Sequence, residues 1–315
     1  MNDASLPKVI ALVGPTASGK TDWSLRLAQK YNGEIISADS RQVYKKMNIG
    51  TAKPTGEWRW HAGWNGLRRT YYCEDIPHHL MDFLDPGKQF TAAEFRDRAI
   101  KYIKLTLKNE SLPMIVGGTG LYVSALVDNL YIPRVLPNKK LRKGLEEKTA
   151  EELVQLLHNF DPASAKKIDP HNKRRLIRAL EVCILSDRPF SEQQKRGEPM
   201  FQFLQIAPEL SRELLYERIE KRIDTMIEQG LLGEVEALIK QKYAWDLPSM
   251  SGVGYRQLRS HIEGTKSLEQ TIEELKRDTR QFARRQLTWF RRDKNIHWCK
   301  TYEEAEKLIQ QFLAK

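Results

Sequence analysis

Cysteine is scarce and scattered. Cys73, Cys183 and Cys299 are the only three in 315 residues, an odd number with no CxxC pair. That spacing excludes a disulfide framework and a thiolate zinc site and leaves free thiols. Long apolar runs are missing as well. No window approaches the ~18–20 consecutive apolar residues of a membrane helix. The start, MNDASLPKVIALVG, passes from a polar tip straight into a short strand-like run, so a soluble, cytoplasmic protein with no membrane partner is expected. Repeats and low-complexity tracts are absent, which removes collagen-like, mucin-like and coiled-coil architectures. Acidic residues are outnumbered, 41 against 52 Lys plus Arg. The resulting +11 either solubilises an evenly basic surface or meets an anionic partner, and the placement of the charges decides between the two.

What is present reads as an α/β rhythm. Lys8–Gly14 (KVIALVG) is a continuous apolar run, Thr21–Lys30 carries Trp23, Leu25, Leu27 and Ala28 on a helical pattern, and Gly33–Asp39 (GEIISAD) is a second short run. Ala92–Lys108 predicts a long helix and Leu112–Gly117 (LPMIVG) the buried strand after it. A parallel sheet flanked by helices is the architecture such runs favour. Two prolines in Tyr131–Pro137 open a charged, helix-rich stretch without strand-like runs, and Phe201–Ala207 (FQFLQIA) returns to alternation. The expected organisation is therefore a discontinuous core, residues 1–130 and 202–315, interrupted by a helical insertion over 131–201. Leu210–Lys242 reads as a helix pair broken at Gly230.

Gly14, Pro15, Thr16, Ala17, Ser18, Gly19, Lys20 and Thr21 fit the phosphate-loop pattern GxxxxGK[ST], after a strand and before a helix as the pattern requires. Backbone N–H groups of such a loop wrap a diphosphate, Lys20 adds a point charge, and Thr21 reaches a magnesium ion. Nucleotide hydrolysis also needs a carboxylate at the end of a second buried strand. Here LPMIVG runs into Gly117-Gly118-Thr119-Gly120, with Asp128 a weaker substitute further on. The loop thus suits holding a pyrophosphate better than splitting a γ-phosphate, and Thr119 offers a hydroxyl nearby. Asp39 closes the second strand in DSRQVY, on the side where doubly wound sheets bind ligands. It can serve as a general base or simply cap the following turn.

His78-His79 lack a third ligand and read as structural. Residues 55–76 are rich in Trp, Tyr and Arg within a loop-like composition. They either stack on bases or form a satellite hydrophobic cluster. Lys166–Arg178 holds six basic residues against one acid, and Lys276–Arg292 seven against one. Arg174 and Arg178 share one helical face opposite Leu176, Ala179 and Leu180. Arg280, Arg284 and Arg291 share another, opposite Ala283, Leu287 and Phe290. Two such stripes beside a phosphate loop make nucleic acid the leading partner over a merely solvated face.

GPTASGKT, DSRQVY, MNIGTAKP (Met47–Pro54), HHLMDFLDP (His78–Pro86), GGTGLY (Gly117–Tyr122), NKRRLIRALE (Asn172–Glu181), GVGYRQ (Gly252–Gln257) and TRQFARRQLTWFR (Thr279–Arg291) occur in this order along nearly the whole chain. As a set they resemble the bacterial tRNA dimethylallyltransferase, or tRNA isopentenyltransferase, family. The resemblance implies a P-loop NTPase-like core and transfer of a dimethylallyl group from dimethylallyl diphosphate to the exocyclic amine of the adenosine 3′ of the anticodon. It implies magnesium as cofactor and no ATP hydrolysis, and a monomer is expected. By motif, it makes Asp39 the general base and Thr119 and Arg218 pyrophosphate contacts. It turns Ser40, Arg41, Gln42, Arg142, Arg174, Arg175, Arg178, Gly252, Gly254, Tyr255, Arg256, Arg280, Arg284, Arg285 and Arg291 toward tRNA. Thr55–Pro77 departs from the family, which has only about ten residues there, so no role carries over to that insert. A small-molecule kinase and a non-catalytic RNA binder are the rival readings.

Overall fold

The computed structural model describes residues 6–63, 66–193 and 195–315. The polar tip, residues 1–5, and Trp64 and Asn65 of the aromatic stretch lie outside the described residues. Contacts divide the chain into two units, Met1–Leu126 with Met200–Lys315, and Val127–Pro199.

The first unit is built on an eight-stranded sheet. Its strands are β1 (Lys8–Val13), β2 (Gly33–Ser37), β3 (Glu57–Gly63), β4 (Gly66–Cys73), β5 (Ile76–His79), β6 (Leu112–Gly117), β7 (Gln202–Pro208) and β8 (Ile296–Cys299), in the order β3-β4-β5-β2-β6-β1-β7-β8. From β5 to β8 all neighbours pair in parallel. β1 is buried from Val9 to Val13 and β2 along its whole length, as strands covered on both faces must be, which is why their sequences run apolar instead of alternating.

The helices of this unit are α1 (Lys20–Lys30), α2 (Ala92–Lys108) and α3 (Gly120–Val127), whose last residue crosses into the second unit, then α9 (Arg212–Glu228), α10 (Leu231–Lys240), α11 (Tyr255–Ile262), α12 (Leu268–Phe290) and α13 (Tyr302–Ala314). Thr91 and Glu94 form a reciprocal capping box at the start of α2, and Ser267 and Gln270 one at the start of α12. Ile10, Leu12, Leu27, Ile35, Met114 and Ile206 pack together between sheet and helices.

One expectation is corrected. Residues 55–76 are not a loop: Glu57–Gly63 and Gly66–Cys73 form an antiparallel hairpin that adds two strands to the edge of the sheet. Its composition reads as a loop, but Trp58 and Trp60 lie two apart on one face of β3, opposite Tyr71 and Arg69 of β4, which is a strand signal.

The second unit carries α4 (Lys139–Glu146), α5 (Ala150–Phe160), α6 (Pro162–Lys167), α7 (Lys173–Ser186) and α8 (Phe190–Gln193). Leu153, Leu157, Leu176 and Leu180 are fully buried in its core, each worth about 1.5–3 kcal/mol. Beside them Glu181, also fully buried, accepts hydrogen bonds from Arg142 Nη2 at 2.7 Å, Arg178 Nη1 at 2.6 Å and the Asn138 N–H at 2.8 Å.

Candidate active site

Three adjacent parallel strands, β2, β6 and β1, end at the same edge of the sheet and deliver Asp39, Thr119 and the phosphate loop to it. Gly19, the residue before α1, sits at φ 91°, which an L side chain rarely adopts and which lets the loop turn directly into the helix. Gly117 is required by space: a Cβ there would stand 2.3 Å from the Ala38 carbonyl oxygen. The two loops are joined by a side chain from α12. Gln286, 8 % exposed, accepts from the Thr16 N–H at 2.9 Å and donates Nε2–H to the Gly118 carbonyl at 2.8 Å.

Lys20 Nζ donates to the Pro15 carbonyl and lies 3.4 Å from Ser18 Oγ. Burial, reinforced by the nearby Arg222 guanidinium and only partly opposed by Asp39, pulls its pKa from 10.5 down to about 7. Arg222, from α9, approaches Thr16 Oγ1 at 3.3 Å, and burial lowers its pKa as well. Arg218 lies one turn earlier on the same face, with Nη1 3.7 Å from where a Gly19 side chain would begin. Thr21 lies exposed in the first turn of α1.

Asp39 is half-buried, and its Oδ1 accepts from the Arg41 N–H at 2.8 Å and the Gln42 N–H at 3.3 Å, so it does cap the following turn. A carboxylate has further lone pairs, so the cap leaves it able to take a proton. Thr119 Oγ1 accepts from the Ser40 N–H at 3.0 Å and lies 3.3 Å from Ser40 Oγ. Arg41 donates to the Pro248 carbonyl and to Ser251 Oγ, beside Gly252 and Gly254 at the start of α11.

A cavity of about 490 Å³ opens between the phosphate loop, residues 48–55 and α9. Ala17, Ile49, Ala52 and Met226 give it apolar wall, while Lys53, Arg218, Lys221 and Arg222 give it positive charge. Lys53 is itself occupied, donating to Asp82 Oδ1 at 2.6 Å, Asn48 Oδ1 at 2.9 Å and the Tyr44 carbonyl. The 48–50 turn is held by Glu234, which accepts three successive N–H groups, of Asn48, Ile49 and Gly50, at 2.7–3.0 Å.

Several residues expected to face tRNA have other partners. Tyr255 is a correction: it is 1 % exposed and its hydroxyl donates to Glu234 at 2.6 Å, so it fixes the turn and is not a surface contact. Arg280 pairs with Glu220, Arg256 lies 3.2 Å from Asp278, and Gln42 donates to the Thr51 and Ala52 carbonyls. In the second unit Arg142 and Arg178 converge on Glu181, whose burial alone would raise its pKa but whose hydrogen bonds hold it low. Arg174, Arg175, Arg284, Arg285 and Arg291 are exposed. Asp128 is 3.5 Å from Arg196 within the second unit.

Sequence reading missed Arg222, Gln286 and Glu234. Arg222 follows Arg218 by one helical turn, a signal that was available. Gln286 and Glu234 gain their roles from partners far away in sequence, which no local pattern shows. His78 and His79 are structural, as expected: both are buried, and His79 Nε2 donates to Glu34 Oε2 at 2.5 Å.

The IPP transferase family model matches residues 42–293. The tRNA dimethylallyltransferase of Acetivibrio thermocellus is 40% identical over 314 residues, covering 97% of this chain and 96% of that protein. Its counterpart in Roseiflexus sp. is 46% identical over 292 residues, 91% of each. Among solved structures, the tRNA isopentenylpyrophosphate transferase of Bacillus halodurans is 36% identical with a TM-score of 0.68, over 98% of this chain and 95% of that one. A eukaryotic dimethylallyltransferase acting on tRNA is 29% identical with a TM-score of 0.74, over 90% of this chain and 69% of that one.

Proposed function

The chain belongs to the IPP transferase family, and from that membership we propose how its residues transfer a dimethylallyl group from dimethylallyl diphosphate to N6 of the adenosine 3′ of the anticodon in tRNA. The observation that carries this reading is a cation-rich phosphate loop with a carboxylate beside it. Lys20 and Arg222 lie half-buried at the same loop, Asp39 acts on Lys20, and the strand between theirs ends in glycines and Thr119 where nucleotide hydrolysis would want an acid.

An allylic diphosphate ionises readily once its leaving group is stabilised. Lys20, Arg218, Arg222 and the N–H groups of residues 14–21 bind the pyrophosphate, and their preset charge favours the transition state over the less charged ground state. The bond between C1 of the dimethylallyl group and the diphosphate oxygen breaks, and C1 bonds to N6. The amine's lone pair is delocalised into the adenine ring, so Asp39 accepts the N6 proton as the new bond forms. Ile49, Ala52 and Met226 suit the hydrocarbon tail. Thr119 and Ser40 hold each other close to Asp39 and set the turn that presents it.

Magnesium fits the donor set. No cluster of three His, Cys, Asp or Glu side chains gathers among the described residues. The protein offers the Thr21 hydroxyl, which matches an ion held mostly by phosphate oxygens and water. Bound there, the ion supplies neutralisation of the departing pyrophosphate.

The adenosine must leave the anticodon-loop stack to reach Asp39, at a cost of a few kcal/mol offset by contacts to flanking nucleotides. Arg174, Arg175, Arg284, Arg285 and Arg291 are available to make them. Among the described residues no helix is long and apolar enough to cross a membrane. The test is incubation with tRNA, magnesium and labelled dimethylallyl diphosphate in the absence of ATP. Label enters the wild-type reaction's tRNA and is lost with Asp39→Ala while tRNA binding survives. No incorporation by the wild type overturns the assignment.

A further inference from the structure

The β3–β4 hairpin belongs to none of the machinery above. In its register Trp58 faces Tyr71, Trp60 faces Arg69, and Ala62 faces Leu67, so these six side chains share one face of the two-stranded ribbon. The base of that face is anchored. Trp58 Nε1 donates to Asp82 Oδ2 at 3.0 Å and the Tyr71 hydroxyl to the Pro54 carbonyl at 2.8 Å. The outer part is bare: Trp60 is 69% exposed and Leu67 71%. A tryptophan and a leucine so exposed on adjacent strands are a cost that a purely structural ribbon has no reason to bear.

The cations of the hairpin separate cleanly. On the opposite face Arg59 is held by Glu57 and Asp75, and Arg68 lies over the Tyr102 ring, 3.8 Å from Glu34. Arg69, on the face of Trp60, has no acidic partner among the described residues and lies 6.0 Å from the Trp58 ring. A bare indole beside an uncompensated guanidinium complements a nucleic-acid strand, in which a flat base adjoins an anionic phosphate.

The direction of the ribbon supports the same partner. β3 is antiparallel to β4, which is antiparallel to β5, so β3 runs with β2. Trp58, Tyr71, His78 and Ile35 lie on one level of the sheet, and Trp60 and Arg69 lie two residues beyond it, toward the edge that carries Asp39. Three strand spacings, about 14 Å, separate β3 from β2, which an RNA stem-loop engaged at Asp39 spans.

We propose that the hairpin is an RNA-contacting arm, in which Trp60 stacks on an unpaired base of the tRNA substrate and Arg69 neutralises an adjoining phosphate. The inference rests on the tRNA reading above and adds to it a surface that the family's motifs do not contain.

Binding of tRNA to Trp60→Ala, Trp60→Phe and Arg69→Ala, measured by fluorescence anisotropy over a salt series, tests it. Trp60→Ala weakens binding about tenfold and Trp60→Phe recovers most of that loss, as stacking requires. Arg69→Ala lowers the salt slope by about 0.7. Labelled-prenyl transfer by the wild type, run alongside, separates the two readings: a wild type that neither binds nor prenylates tRNA overturns the functional reading and the arm with it. A wild type that prenylates while Trp60→Ala and Arg69→Ala bind as it does overturns the arm alone. Sedimentation of the same proteins adds the other occupant. A dimer lost in Trp60→Ala with tRNA affinity intact makes this face a contact between copies and also overturns the proposal.

Discussion

Two groups of charged side chains are packed into the sheet unit, one fully and one half buried, and they are balanced in opposite ways. At Glu34 the protein supplies its own partners: His79 Nε2 at 2.5 Å, Thr106 Oγ1 and Asn109 Nδ2 at 3.2 Å, and Arg68 at 3.8 Å. Burial would push Glu34 up, yet the hydrogen bonds from His79 and Asn109 and the nearby His61 hold it down at about 2, while burial pulls His79 down against the attraction of Glu34. At the phosphate loop, cation lies beside cation. Lys20 and Arg222 are both depressed by burial, and Lys20 further by its neighbour. A charge cluster completed from within is structure, whereas one left in excess is where an anion completes the account.

The strongest way to break this comparison is to remove one member of each group. Lys20→Met and Asp39→Asn should each lower the rate of prenyl transfer by about 100-fold or more, with the thermal melt little changed. Glu34→Ala leaves buried donors without acceptors and should cost about 3 kcal/mol of stability, read from urea unfolding, with transfer within a few-fold of wild type. If Glu34→Ala silenced transfer in a protein as stable as wild type, the two groups would not be different in kind.

Removing Gln286 should fall between these extremes. Gln286→Ala frees the Thr16 N–H and the Gly118 carbonyl at once and loosens the phosphate loop from the loop after β6. Transfer should drop about tenfold, mainly through the KM for dimethylallyl diphosphate, and Gln286→Glu should not restore it, because a carboxylate cannot donate to Gly118.

Protonation sharpens the contrast further, with opposite signs. Lys20 titrates near 7 when folded and near 10.5 when unfolded, so between those values the unfolded chain binds the extra proton and stability rises with pH. Glu34 behaves as a depressed acid: its contribution is full above about 4.5 and is lost as pH falls toward 2. Pyrophosphate favours protonated Lys20, so binding near pH 8 should take up a proton and affinity should fall as pH rises above 7. Calorimetry in buffers of different ionisation enthalpy, with Lys20→Met as the reference, measures that proton.

Much of this was legible in the sequence because it is local. A buried parallel strand, a glycine-rich turn and a helix start occupy neighbouring residues, so β1, the phosphate loop and α1 announce themselves together, and Asp39 follows from where β2 stops. The partners of Glu34, Glu234 and Gln286 come from residues up to 270 positions away, and no period or motif reports them. The hairpin was misread for a different reason: its composition is that of a loop, while its alternation is that of a strand, and alternation is the physically stronger signal where aromatic side chains must share a face. Tyr255 was misplaced because a motif marks a neighbourhood without saying which of its side chains turn inward.

The smallest effect tests the same principle at the surface, along α12. Arg280 is balanced by Glu220, whereas Arg284, one turn further on, is exposed and has no ion pair among the described residues. If uncompensated charge is what meets the anionic substrate, Arg284→Ala should reduce the slope of log affinity for tRNA against log salt by about one unit, and Arg280→Ala by distinctly less. Arg280 already spends its charge on Glu220, and its removal exposes that acid to the RNA, so its loss should show as a nearly salt-independent weakening. Equal slopes for the two variants would mean that α12 meets the RNA through its overall basicity rather than through the residues it leaves unpaired.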